Sequence, residues 1–233
     1  MKKLIFCIMA SGMAAFCTLQ SFAGIYKIKV TDFESVNLRI PADVIWSESG
    51  SATCILECSA EAEEKIEIVS EGQTLVIKKR GGNSVFESDF KGKIKITLAG
   101  KKLDRVDING SGDFEMKNPS GTEKFEYNIN GSGNLKADVK SNTCSGTING
   151  SGDVTIKGTA SKFDLDINGS GEVNALDFVC GSVEIEIAGS GDAKVNATEN
   201  LDIKIAGSGD VSYRGNPKSV RQKVAGSGEI IKI

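Results

Sequence analysis

From residue 105 to the end, apolar and polar residues alternate with a period of two, and Gly-Ser-Gly breaks the alternation at near-regular intervals. Ahead of successive breaks stand Phe125, Tyr127 and Ile129; Phe163, Leu165 and Ile167; Val183, Ile185 and Ile187; and Leu201, Ile203 and Ile205. Behind the breaks the pattern resumes at Phe114 and Met116, Leu135 and Ala137, Val154 and Ile156, Val173 and Ala175, Ala193 and Val195, and Val211 and Tyr213. Successive side chains of an extended chain point to opposite faces, so each run predicts a strand with one buried and one solvated face. The unit therefore reads as strand, glycine corner, strand and a looser polar connection.

Seven corners carry the motif: Gly110-Ser111-Gly112, Gly131-Ser132-Gly133, Gly150-Ser151-Gly152, Gly169-Ser170-Gly171, Gly189-Ser190-Gly191, Gly207-Ser208-Gly209 and Gly226-Ser227-Gly228. Their first glycines are 21, 19, 19, 20, 18 and 19 residues apart. A fixed period of this length marks a repeat architecture. Asn109, Asn130, Asn149 and Asn168 precede the first four corners, and Ala188, Ala206 and Ala225 the last three. A meander of hairpins and a coil could both use the unit. Asn-Gly suits a two-residue hairpin locally, but Ala is poor at the positive φ of such a turn. If one geometry serves all seven copies, it is the coil, in which each repeat buries its apolar face on its neighbours about 4.8 Å away. The predicted fold is an all-β, single-stranded parallel β-helix, right-handed by the handedness of parallel crossovers.

Residues 24–108 lack the motif but keep β-type runs at Ile25 to Val30, Val36 to Ile40, Ile66 to Val69, Leu75 to Lys78 and Ile94 to Leu98. Ile40-Pro41-Ala42-Asp43-Val44 resembles a degenerate corner. These residues are expected to form irregular N-terminal rungs and a cap, because a solenoid must cover its open end; a small separate sandwich is the alternative. Residues 109–233 hold the seven repeats, and 24–233 is expected to be one domain. Lys78 to Asn83 and Asn118 to Gly121 read as loops.

Ahead of this domain, Met1-Lys2-Lys3, the apolar run Leu4 to Ala15 and Ser21-Phe22-Ala23 have the plan of a secretory signal occupying residues 1–23. The apolar run is short of the roughly 20 residues of a membrane span, and no span is expected after cleavage. Phe16 is bulky where a lipobox requires a small residue, so lipidation of Cys17 is not expected. Export, to the periplasm, the cell surface or the medium, permits disulfides. Cys54 and Cys58 nevertheless sit four apart in a β-type run, about 13 Å when extended, which no bridge spans. With Cys144 and Cys180 they are expected to be small buried hydrophobes. A net charge of −3 without clustered basic residues excludes nucleic acid as a partner.

The corner acids Asp113, Asp153, Glu172, Asp192, Asp210 and Glu229, with Asn134 in their row, would form a ladder of like charge. Calcium is one reading, since hard oxygens in glycine-rich turns bind it. Calcium-binding β-rolls, however, repeat a nonapeptide whose spacing is absent here. The preferred reading has these side chains accepting corner N–H bonds, their charge relieved by solvent and by Lys117, Lys136, Lys157 and Lys194. The corner serines could be mistaken for nucleophiles, yet the chain contains no histidine to act as their base. They read as a structural ladder with hydroxyls bonding along the stack, and the asparagines as a second ladder. No catalytic residue, metal or cofactor is expected, because catalysis needs one special place and the repeats offer none. On the strand faces Asp107, Glu126, Asp164, Asp166, Glu184, Glu186 and Asp202 make an acidic surface. Trp46, Tyr26, Tyr127 and Tyr213 are the candidate sugar platforms, with Tyr127 and Tyr213 on inward positions.

The Ile-Asn-Gly-Ser-Gly-Asp repeats behind a signal peptide resemble the family of "putative auto-transporter adhesin, head GIN domain" proteins across essentially the whole mature chain. The resemblance implies a parallel β-helical body and an exported, non-catalytic adhesin-like module of the cell envelope, binding an extracellular or envelope protein or glycan. A glycan-binding or glycan-degrading β-helix is the alternative. One departure is plain: the sequence finishes its last repeat at Glu229-Ile-Ile-Lys-Ile233 without the aromatic-girdled strands of a translocating barrel.

Overall fold

The computed structural model describes residues 24–82, 90 and 92–233; the expected signal segment, with Cys17, lies outside them. Strands account for 71% of it and helix for 3%, and the strands stack in parallel as a β-solenoid of about 7 turns. The coil, and not the meander, is what the sequence encodes.

Each turn contributes a strand before its corner and one after. The pre-corner sheet is made of β8 (Arg105–Gly110), β10 (Ser120–Gly131) and the later halves of β11 (Asn134–Gly150), β12 (Val154–Gly169), β13 (Glu172–Gly189) and β14 (Asp192–Gly207), closed by β16 (Ser219–Gly226). All pair in parallel, Asn109 with Asn130, Asn130 with Asn149, Asn149 with Asn168 and Asn168 with Ala188. The post-corner sheet joins β9 (Asp113–Met116) to the first halves of β11 to β14, then to β15 (Val211–Arg214) and β17 (Ile230–Lys232). The expected looser polar connection is a correction: β11 to β14 run unbroken for 16 to 18 residues from one corner to the next, bending within the strand. The unequal spacings of the later repeats are absorbed there, since register shifts fall between Thr155 and Gly158, between Asn174 and Val179 and between Cys180 and Ser182, and none falls at a Gly-Ser-Gly corner. Within the two expected loops, Lys78 and Lys79 close a strand and Ser120-Gly121 opens β10.

Inward positions form columns along the axis. Ile108, Ile129, Ile148, Ile167, Ile187 and Ile205 stack in register, each at most 2% exposed. Aliphatic side chains removed from water at this level contribute about 1.5–3 kcal/mol each. Tyr127 fits only because Gly146 faces it one rung on, where a Cβ would lie 2.0 Å from the ring. Cys54, Cys58, Cys144 and Cys180 are buried free thiols, as small hydrophobes.

The N-terminal region follows a different order. Rung β2 (Ser35–Leu38) and β3 (Asp43–Glu48) lies between β8–β9 and the later-numbered pair β6 (Thr74–Lys79) and β7 (Lys95–Gly100), all in parallel. Chain order and stacking order therefore disagree. Beyond β6 and β7 the pairing turns antiparallel, through β5 (Ile66–Glu71) on β6, β4 (Thr53–Cys58) on β7, and β1 (Gly24–Ile28) on β4. Between β4 and β5 lies one short helix, α1 (Ala60–Lys65), capped by Ser59, whose Oγ accepts the Ala62 N–H. Four of its six residues are polar, so no apolar alternation marks it in the sequence. Its buried Ala62 and the following Ile66 join the same apolar core that runs on to Val211.

Candidate functional site

Every corner uses its first glycine in the same way. From Gly110 to Gly226 their φ values lie between 126° and 144°, a region that L side chains rarely adopt. Stacking closes the remaining space: a Cβ on Gly169 would sit 2.2 Å from the Gly150 carbonyl oxygen, and one on Gly171 2.4 Å from that of Gly152. The Ile40-Pro41-Ala42 segment supplies the platform beneath the first corner, where the Asp113 N–H donates to the Ala42 carbonyl at 3.0 Å. Asp43 stands in register with Asp113.

The serines tie corners together through their backbone. Ser132, Ser151, Ser170, Ser190, Ser208 and Ser227 donate their N–H groups to the first-glycine carbonyl of the preceding corner at 2.8–3.0 Å. Their side chains are exposed. The bonding expected of the hydroxyls is thus made by the amides, because the strand-like corner aims successive N–H groups along the axis.

In the acidic row, carboxylates also bond to the following rung. The Asp153 carboxylate accepts the Glu172 N–H at 3.1 Å, Asp192 that of Asp210 at 2.8 Å, and Asp210 that of Glu229 at 2.8 Å. Asn134 bridges two acids, donating to Asp113 and accepting the Asp153 N–H. Glu172 instead takes the Lys194 ammonium at 2.7 Å. Lys117 and Lys157 pair away from the row, with Glu115 and Asp138. Among the described residues no three His, Cys, Asp or Glu converge as a metal cluster.

Asn109, Asn130, Asn149 and Asn168 form the second ladder, each amide donating to the preceding carbonyl oxygen at 3.0–3.2 Å. Asn37, from an earlier strand, accepts the Asn109 amide and extends the ladder by a rung. Where alanine replaces asparagine, the sheet face sinks into a shallow depression of about 540 Å³, edged by Asp166, Asn168, Glu186, Lys204 and Lys223. Burial and the neighbouring Glu186, Asp164 and Glu184 carboxylates raise the Asp166 pKa above the usual carboxylate value. Lys204 bridges Glu184 and Glu186 at 3.3 and 2.5 Å, and Arg105 spans Asp107 and Glu126 at 2.9 and 3.0 Å. Lys204 and Arg105 thus offset part of the acidic strand face, while Asp166 stays among like charges.

None of the candidate aromatics makes a surface platform. Trp46 and Tyr127 are fully buried, while Tyr26 and Tyr213 are half-buried against the core. Both Trp46 and Tyr213 fall on the inward parity of their strands, and parity prevails over residue type.

A continuous β-solenoid with amide and carboxylate ladders along its corners defines a laddered repeat protein. Residues 32–217 match the family described as "putative auto-transporter adhesin, head GIN domain", and the chain belongs to that family. It is similar to the solved structure of a putative adhesin from Bacteroides fragilis, with TM-score 0.83, 25% identity, and 91% of this chain and 97% of that one covered. A putative lipid binding protein from Parabacteroides distasonis (TM-score 0.73, 24% identity, 92% and 98% covered) has the same fold. So does a putative adhesin from Parabacteroides merdae (TM-score 0.72, 22% identity, 92% and 97% covered). No functionally curated protein matches the chain. No helix among the described residues is long and apolar enough to cross a membrane.

Proposed function

We propose that residues 24–233 act, after export, as one non-catalytic binding module of the cell envelope. The observation that carries this reading is the uniformity of the corners: the same glycine geometry recurs at all seven, with an amide row along the first four and an acidic row interrupted at Asn134. Chemistry needs unlike groups converging at one place. The depression over Ala188, Ala206 and Ala225 interrupts the amide row, and no aromatic side chain lines it. A lipid-binding role, after the putative lipid binding protein from Parabacteroides distasonis, is less well supported, since the coil interior is filled by stacked aliphatic and aromatic side chains. An array of glycans and envelope proteins probed with the chain should give saturable binding to a restricted set. Turnover of any polysaccharide on that array would overturn the non-catalytic part.

A further inference from the structure

The depression over Ala188 begins where the amide ladder stops. Every ladder amide points the same way: Asn168 donates to Asn149, Asn149 to Asn130, Asn130 to Asn109 and Asn109 to Asn37, at 3.0–3.2 Å. Each carbonyl oxygen therefore faces the rung that follows and is taken there, as far as Asn168. In register with Asn168 stands Ala188, whose methyl group donates nothing. The other end is closed, since Asn37 also accepts from Arg39 at 3.0 Å. Aligned amides polarise one another, so the Asn168 oxygen is the strengthened acceptor end of a chain of five.

The walls of the depression are unlike its floor. Ala206 and Ala225 continue the floor from Ala188. Beside it runs a column of polar residues in register, Thr147, Asp166, Glu186, Lys204 and Lys223. The two carboxylates stand nearest the Asn168 oxygen, and the two ammonium groups lie beyond them. Lys162 and Lys204 pair with Asp164, Glu184 and Glu186, and neither is paired with Asp166. Burial and the Glu186, Asp164 and Glu184 carboxylates raise the Asp166 pKa, as befits a carboxylate short of donors. The rungs of β11 to β14, which carry most of this lining, each have a neighbour on both sides, so the depression does not depend on the last strand.

A ligand of this site must bring an N–H to Asn168, further donors to Asp166 and Glu186, an acceptor to the lysines and an apolar group to the alanines. Its own charge should be zero, because two acids and two lysines surround it. A sugar with an acetamido group meets all of these needs. Its N–H donates to Asn168 as the missing asparagine would, its methyl group lies on Ala188, its carbonyl faces on toward Lys204, and its hydroxyls donate to the carboxylates. Recognition of this kind requires no aromatic platform. A peptide brings N–H groups to Asn168 but leaves the two carboxylates without donors, which is costly once water is displaced. A polyanion or a polycation meets like charge whichever way it lies.

We propose that the depression over Ala188 and Ala206 is a binding site for a neutral N-acetylated sugar, held by the Asn168 carbonyl oxygen, the Asp166 and Glu186 carboxylates and the Lys204 ammonium. The inference rests on the binding-module reading and names a ligand class for it.

The probe is the methyl glycoside of N-acetylglucosamine, titrated into the full chain by calorimetry, with saturation-transfer NMR to locate the contact. Binding should saturate, and the acetamido methyl protons should receive the strongest saturation. Methyl glucoside, which lacks the acetamido group, should bind about tenfold more weakly. Ala188→Asn extends the ladder into the depression, so it should keep or raise the urea midpoint while weakening the probe by about tenfold or more. No saturable binding, equal binding of the two glycosides, or unchanged binding by the folded variant would overturn the proposal. Equal binding of N-acetylalanine methylamide, an amide without hydroxyls, would overturn it in favour of a peptide. Array hits that Ala188→Asn retains would overturn this site and leave the binding-module reading standing. Probe binding that the variant loses, alongside a silent array, would support the site and fail the envelope-ligand reading.

Discussion

In the repeat region each rung rests on backbone, the glycine carbonyls of one corner filling the space where the next corner would carry a Cβ. In the N-terminal region the rungs rest on side chains: Phe33, Trp46, Leu56 and Leu103 pack the end of the coil, and Ile40-Pro41-Ala42 stands where a glycine corner would be. Backbone-on-backbone stacking fixes one residue type and one register, so it repeats visibly. Side-chain packing accepts many residues, so the same coil continues there without a motif. It also allows the chain to place β2–β3 between two later strand pairs.

The largest test of this contrast compares glycines. Gly169→Ala meets both a positive φ and the Gly150 carbonyl at 2.2 Å, and should cost about 3–5 kcal/mol in urea unfolding. Gly110 has φ +126° but no atom within 4 Å of an added Cβ, because the rung beneath it is the irregular one. Gly110→Ala should therefore cost only the backbone strain, about 1–2 kcal/mol. Equal losses at the two sites would show that stacking contact contributes nothing.

Next in size is Tyr127, whose hydroxyl is buried without a hydrogen-bond partner. A buried unpaired polar group costs about 1–3 kcal/mol, so Tyr127→Phe should raise the urea midpoint, and a fall would refute the assignment. At the N-terminal end the same comparison applies to thiols. Burial pushes Cys54 up to about 12 and Cys58 to about 11, the latter helped by Glu63; in the repeats it pushes Cys180 to about 12 and raises Cys144 well above the ordinary thiol value. A folded-state pKa above the unfolded value favours the protonated native state. That stability is fully present below pH 9 and is lost as pH rises through about 11 to 12. Thiol titration of folded residues 24–233 at pH 8 should detect no reactive cysteine until denaturant is added, and Cys58 should react first as pH rises. The smallest effect belongs to the amide ladder: Asn149→Ala should cost about 1 kcal/mol, and Ala188→Asn, which lengthens the ladder, should gain a few tenths.

The sequence by itself determined the coil, its period, the inward columns and the ladders, because each follows from local alternation plus one glycine geometry. Leu165, Ile167 and Gly169 announce their places without reference to the rest of the chain. It also carried the family, through seven copies of a corner that few folds require. Only the tertiary structure decided the order of the first rungs, the antiparallel cap and the burial of Trp46, since strand pairing between distant segments leaves no periodic trace. It likewise moved the corner bonds from serine hydroxyls to amides, because hydrogen-bond partners are set by which rung lies above and below.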